Sequence, residues 1–242
     1  MTAIKTVDLS KKYGSNSAVD KLNLEINRGE LFSLLGVNGA GKTTTIKMLS
    51  CLLKPTSGDA LIADKSIVKN SKEIKNIIGV SPQETAVAPN LTVFENLSLM
   101  CGIHGFTNSE KNKKTRELIE KFSLESVEKK KAGKLSGGYQ RRLSIAMALI
   151  SEPEILFLDE PTLGLDVIAR SELWDIIRSL KGKVTVILTT HYMEEAQKLS
   201  DRIGIMKDGK LLKLGTAEEL IEISGADSFE NAFIKIVKGE VK

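Results

Sequence analysis

Residues Gly36-Val37-Asn38-Gly39-Ala40-Gly41-Lys42-Thr43-Thr44 follow the spacing G-x4-G-K-T, a pattern suited to gripping phosphate. Glycine lets the backbone curl, so that successive N–H groups point inward at an anion. A helix opening at Lys42 presents its positive dipole end to the same anion. Gly36, Asn38, Gly39, Ala40, Gly41 and Thr44 are therefore expected to cradle phosphates, with Lys42 reaching the β- and γ-phosphates. Thr43 is placed to offer its hydroxyl to Mg²⁺. The ligand class this implies is a nucleoside triphosphate, ATP or GTP.

A second group of residues has the chemistry to cut such a ligand. Ile155-Leu156-Phe157-Leu158 is an apolar run that ends in Asp159-Glu160. A buried strand delivers the carboxylates at its C-terminal tip to the ligand edge of a parallel sheet. Asp159 fits the acid that holds Mg²⁺, and Glu160, one step on, can polarise an attacking water. Another apolar run, Val184–Thr189, ends in Thr190-His191. His191 can bond a γ-phosphate oxygen or hold the water and Glu160 in place. The other histidine, His104, stands beside glycines in an expected loop and is given no role.

Leu135-Ser136-Gly137-Gly138-Tyr139-Gln140 narrows the class. Ser136 and the amides of Gly137 and Gly138, at the start of a helix Gln140–Ile150, form a second place to grip phosphate. This hexapeptide resembles the signature of the ABC-type ATPases, and it precedes Asp159-Glu160 at that family's spacing. The resemblance covers nearly the whole chain. Tyr13 is similar to the family's adenine-stacking aromatic. Gln83 is similar to the glutamine that joins core to helical insertion, senses the γ-phosphate and contributes to the metal site. Thr162-Leu163-Gly164-Leu165-Asp166 looks like the loop that crosses the dimer interface. Two positions depart from the pattern: Tyr139 replaces the commoner glutamine, and Met147 a common arginine.

The resemblance implies an α/β fold, a P-loop NTPase (RecA-like) core with an N-terminal antiparallel β subdomain and an inserted helical subdomain. It implies ATP and Mg²⁺ as ligands, with Lys42, Gln83, Glu160 and His191 as catalytic residues. Thr43, Gln83 and Asp159 would hold the metal. It also implies a head-to-tail homodimer or heterodimer, each ATP lying between Lys42 and Thr43 of one protomer and Ser136 and Gly138 of the other. The expected partner is a polytopic membrane permease, whose coupling helix would dock near Gln83, and the expected place is the cytoplasmic face of the membrane. Ser81 to Leu97, the Gly164–Asp166 loop and Ser228-Phe229-Glu230-Asn231-Ala232-Phe233 are similar to the branch exporting drugs, antibiotics, lipids or sodium; import is the alternative. Members acting on DNA or ribosomes fit less well, because there is no heptad run and only one phosphate loop.

The elements that must position these residues are legible in outline. Short strands are expected at Ile4–Leu9 and Leu22–Ile26, then a buried strand Leu31–Leu35 and a helix from Lys42 to Leu53, broken at Pro55-Thr56-Ser57-Gly58. Further strands fall around Ala60–Ile67, and Ser71 is expected to cap a short helix bearing Ile74, Ile77 and Ile78. From about 86 to 132 the chain turns lysine-, glutamate- and leucine-rich, with Leu118, Ile119 and Phe122 at helical spacing. An amphipathic helix Ala169–Leu180 between the two apolar runs implies a right-handed parallel crossover. A hairpin Asp201–Met206 with Lys210–Leu214 and a helix Phe229–Val237 close the pattern. One domain over 1–242 is expected: 1–85 and 151–215 as nucleotide-binding core with its β subdomain, 86–150 as helical insertion, 216–242 as helical tail.

Composition sets the outer bounds. The 242 residues suffice for one large domain, and 41% hydrophobic residues supply its core. No run approaches the ~18 apolar residues of a membrane-spanning helix, and Met1–Val7 carries no signal-peptide pattern. Cys51 and Cys101 lack metal-ligand spacing and are expected as small core residues. The net charge of +4, with lysines clustered at 111–114 and 129–134, reads as solvated helix faces, so no nucleic acid is expected.

Overall fold

Apolar runs with no polar alternation must be buried on both faces, and three of them line up at the centre of the molecule. The structure is a computed structural model and describes residues 1–241. It begins with β1 (Thr2–Tyr13), β2 (Asn16–Leu22) and β3 (Glu25–Asn27), followed by β4 (Leu31–Gly36), the glycine loop and α1 (Lys42–Leu49). Next come β5 (Ser57–Ile62), β6 (Lys65–Ser66), α2 (Ser71–Lys75) and β7 (Ile78–Ser81). The insertion contains α3 (Val93–Ile103), α4 (Asn108–Lys121) and two 3-10 turns, and leads into α5 (Gly137–Ala148). After it follow β8 (Ile155–Asp159), α6 (Val167–Arg178), β9 (Thr185–Thr190) and α7 (Met193–Leu199). The chain continues with β10 (Arg202–Lys207), β11 (Lys210–Gly215), α8 (Ala217–Ser224) and α9 (Phe229–Lys238).

One sheet has the strand order β11-β10-β4-β9-β8-β7, parallel throughout except for the β10–β11 hairpin. Every residue of β4, β8 and β9 is buried. The second sheet, β2-β1-β5-β6 with β3 alongside β1, is antiparallel. Between the two sheets lies a core of Ile4, Ile26, Phe32, Leu34, Ile46, Ile62 and Phe157. The other face of the parallel sheet packs under α5, α6 and the insertion, whose Leu118, Ile119 and Phe122 are buried as their spacing predicts. A third cluster seats α8 and α9 against β10 through Ile203, Ile205, Leu220, Phe229 and Ile236.

Several expected boundaries shift. The first strands are longer and number three: β2 pairs back on β1 across Gly14-Ser15, and Leu22–Ile26 divides between β2 and β3. The polar residues facing out on β2 conceal it from a hydrophobic pattern. Helix α1 stops at Leu49 because Cys51 turns left-handed (φ 57°), and the amides of Leu52 and Leu53 return to the Lys47 carbonyl. Ser71 is the first helical residue of α2, with Asn70 before it, and Ile78 opens the strand β7. The signature helix starts at Gly137 rather than Gln140, with Gly138 buried against Ala169. Helix α7 lies outside the expected elements, while α8 falls within the 216–242 segment expected to be helical. Cys101 is buried, but Cys51 is only half-buried, at the left-handed end of α1.

Candidate functional site

The parallel order places the C-terminal tips of β4, β8 and β9 side by side, and each tip carries one of the groups singled out above. After β4 the loop bends through Gly39 (φ 82°) and Gly41 (φ 101°) into α1. At Gly41 a Cβ would also run into the Ala18 carbonyl, so two constraints require glycine there. Helix α1 has no side-chain cap, which leaves its first amides to the cleft.

Lys42 is 5% exposed, and its Nζ donates to the carbonyls of Gly36 (2.7 Å) and Val37 (3.2 Å). The same Nζ lies 3.3 Å from Glu160 Oε1. Glu160 Oε2 meets His191 Nδ1 at 2.8 Å. One buried carboxylate thus joins the lysine of one strand tip to the histidine of another. Removing Lys42 would leave the buried Glu160 carboxylate without its counter-charge.

Asp159, the last residue of β8, is held by two hydroxyls. Its Oδ1 accepts from Thr43 Oγ1 (3.0 Å) and from Thr189 Oγ1 (2.5 Å). Hydroxyl and carboxylate oxygens are the hard donors that Mg²⁺ takes, and Thr43, with Gln83, lines the cleft; the residues fit this ion. Among the described residues no three His, Cys, Asp or Glu side chains are grouped so as to hold a metal ion by themselves. A cation here would therefore complete its shell with phosphate and water oxygens.

The cleft has a volume of about 530 Å³ and is lined by Asn38 to Thr44, Gln83, Glu160 and His191 together with Ala18 and Leu163. The fold brings most of the predicted residues together there. Gly36 and Asp159 stand just behind the lining, bonded to Lys42 and Thr43. Tyr13 remains outside it, exposed at the end of β1 under Lys11 Nζ. Ser136 and Gly137 are also exposed and away from the cleft, while Gly138 is buried against Ala169. His104 ends α3, exposed and remote.

Some participants carry no motif. Thr189 Oγ1 accepts from the Glu160 amide at 3.0 Å and so holds both acids from β9. Arg141 on α5 donates to the carbonyls of Pro82 (2.6 Å) and Gln83, tying the glutamine loop to the signature helix. Ser81 and Ser144 add a 2.9 Å bond at the same seam. Burial pushes the Arg141 guanidinium pKa down, while Asp159 and Glu195 oppose that shift. The Thr-Thr end of β9 was a signal for the first; nothing in the local pattern marks Arg141.

Comparisons with known proteins identify the family of the chain. A family model described as ABC transporter matches residues 19–163. The probable multidrug ABC transporter ATP-binding protein YbhF of Escherichia coli is 41% identical over 242 residues; the alignment covers 98% of this chain and 42% of YbhF, so the chain spans under half of that relative. The daunorubicin resistance ATP-binding protein DrrA3 of Streptomyces coeruleorubidus is 41% identical over 230 residues, covering 95% of this chain and 73% of DrrA3. Among solved structures, the dimeric post-hydrolysis state of the ATP-binding cassette MJ0796 with ADP and Pi superposes with a TM-score of 0.80 at 30% identity, covering 88% of this chain and 98% of that one.

Proposed function

This chain belongs to the ABC transporter family, and from that premise we propose that it is the ATP-hydrolysing subunit of a membrane exporter, working as one half of a nucleotide-sandwich dimer. The observation that carries this is the split between two phosphate-gripping groups. Lys42, Thr43, Glu160 and His191 converge on one cleft, whereas Ser136 and Gly137 stand exposed outside it. A second copy, or a relative, would bring its Ser136 and Gly138 to the triphosphate held by the first.

In this cleft the loop amides from Gly39 to Thr44 and the start of α1 bind the phosphates, and Lys42 neutralises their charge. Thr43 and Asp159, with Gln83 near them, would hold Mg²⁺, which would supply positive charge against the phosphate oxygens. Glu160 accepts the proton of the attacking water, and His191 holds the carboxylate in line through the 2.8 Å contact. Tyr13 stacks on the adenine from the rim. Closure on ATP and reopening after hydrolysis shift the population of states that the membrane partner feels.

That partner is a polytopic permease, which places the subunit on the cytoplasmic face of the membrane. Among the described residues no helix is long and apolar enough to cross a membrane. A groove of about 480 Å³ along α3 and α4, lined by Phe94, Leu99, Ile103 and Lys111, is the docking surface for the permease. Leu99 and Ile103 are 49% and 67% exposed there, an apolar patch beside the Gln83 loop's own insertion. The relatives' names, multidrug and daunorubicin resistance, support export.

The test is a pull-down of the subunit from native membranes, followed by mass spectrometry. A polytopic membrane protein in stoichiometric amount is the expected result. Ribosomes or DNA in its place, without a membrane protein, would overturn the transporter role.

A further inference from the structure

Glu195 lies on α7, four residues beyond His191, and is completely buried (0% exposed). Its Oε1 accepts two hydrogen bonds, from Thr162 Oγ1 (2.8 Å) and Trp174 Nε1 (3.1 Å), while Oε2 meets no partner. Burial pushes its carboxyl pKa up, with nearby Glu160 adding to the rise and the polar neighbours Thr190, Thr162 and Trp174 opposing it. Such a group is costly: an apolar side chain of equal volume would fill the space without an unmet oxygen. What the acid joins explains its presence. Thr162 lies two residues past Glu160, and the turn between them is closed by the Leu163 amide on the Glu160 carbonyl (3.2 Å). Trp174 belongs to α6, which that same loop feeds. Thr190, whose hydroxyl accepts from the Tyr192 amide (2.9 Å), immediately precedes His191.

We propose that Glu195 is a positioning residue for hydrolysis: by gripping Thr162 and Trp174 it locks the segment leaving Glu160 to the helix that follows His191. The 2.8 Å contact of Glu160 with His191 is then held from both sides, and the loop from Thr162 to Asp166 moves with it. This rests on the assignment of Glu160 and His191 to hydrolysis given above.

Steady-state ATP hydrolysis by the full chain tests it, comparing the wild type with Glu195→Ala, Glu195→Gln, Thr162→Val and the Thr162→Val/Glu195→Ala double variant. Because small displacements of reacting groups are expensive, Glu195→Ala and Thr162→Val should each lower kcat at least about tenfold. KM for ATP should stay within about twofold, since phosphate binding is untouched. Glutamine keeps an oxygen acceptor for both donors and should restore most of the turnover lost in the alanine variant. The double variant should be no slower than the slower single one, because both cut the same link. Unchanged kcat in Glu195→Ala, or a glutamine variant as slow as alanine, would overturn the proposal. So would losses in kcat and KM that track each other.

A second readout does not depend on turnover. The chain has two histidines, and Glu195→Ala should move the ring-proton NMR resonances of His191 while leaving those of His104 in place. Resonances of His191 that stay put would overturn the link. Glu160→Gln run alongside separates the two levels: if it turns over like the wild type, the assignment of the base fails. If it stalls while Glu195→Ala does not, only the role of Glu195 fails.

Discussion

Glu160 occupies left-handed backbone (φ 47°), a conformation that costs a non-glycine residue about 1–2 kcal/mol. Its amide is fixed there by the carbonyl (3.2 Å) and hydroxyl (3.0 Å) of Thr189. In this conformation the carboxylate contacts Lys42 and His191. Glu160→Gln should therefore still bind ATP but hydrolyse it about a hundredfold more slowly, the scale of a lost general base. Phosphate release measured beside fluorescent-nucleotide binding checks this; rapid turnover with normal binding would remove Glu160 from that role. Glu195 makes a prediction of another kind. An acid whose folded pKa lies above its unfolded value favours the folded state fully below that value, ordinarily 4.5. The contribution is lost as pH rises through the folded pKa. Glu160 and Arg141 face the group and remain in both proteins. The melting temperature of Glu195→Gln relative to the wild type should accordingly climb as pH rises above 4.5. A difference independent of pH would show that Glu195 does not hold its proton in the fold.

Among the described helices of eight residues or more, α3, α4, α6, α8 and α9 each begin with a side-chain cap. Thr92 with Glu95, Thr107 with Glu110 and Thr216 with Glu219 form reciprocal capping boxes. Helices α1 and α5 have none, and they are the two whose starts were read as anion sites. Ordinary starts are satisfied from within, while these two leave their amides available. The contrast predicts two separable effects. Thr107→Ala should lower stability by about 1 kcal/mol and leave ATP affinity unchanged. Gly41→Ala, forced against the Ala18 carbonyl at φ 101°, should weaken ATP binding at least about tenfold, since strain and clash fall on the loop itself. Calorimetric titration together with thermal melts separates them, and equal affinity for both variants would refute the assignment of the loop.

At the scale of the molecule, Ser136 and Gly137, proposed as the second phosphate-gripping group, stand exposed outside the cleft. Ser136→Arg should leave ATP binding by the isolated chain intact and abolish turnover. Equal loss of both would mean that Ser136 serves its own protomer's nucleotide. In the opposite direction, Glu160→Gln with saturating ATP should elute from a sizing column as a dimer, because hydrolysis no longer reopens it. A monomer under those conditions would argue against the sandwich. The Arg141 bonds to the Pro82 and Gln83 carbonyls tie the glutamine loop to the helix that Ser136 precedes.

Residue type and spacing alone pointed to the phosphate loop and the paired acids, because each is a local device that works through neighbouring backbone amides or one strand tip, whereas the signature was legible only through a family resemblance. Uninterrupted apolar runs likewise identified β4, β8 and β9, since a strand buried on both faces has no polar positions to alternate. The same local logic missed β7, four residues long, and α7, seven, where tertiary packing supplies the stability that length does not. It also could not separate Glu194 from Glu195. Adjacent acids look alike in sequence, yet they point about 100° apart around a helix. The seating of α7 against the sheet leaves Glu194 in water and buries Glu195 beneath Thr162 and Trp174. Which distant segments share one carboxylate depends on where the chain crosses itself, and only the tertiary structure settles that.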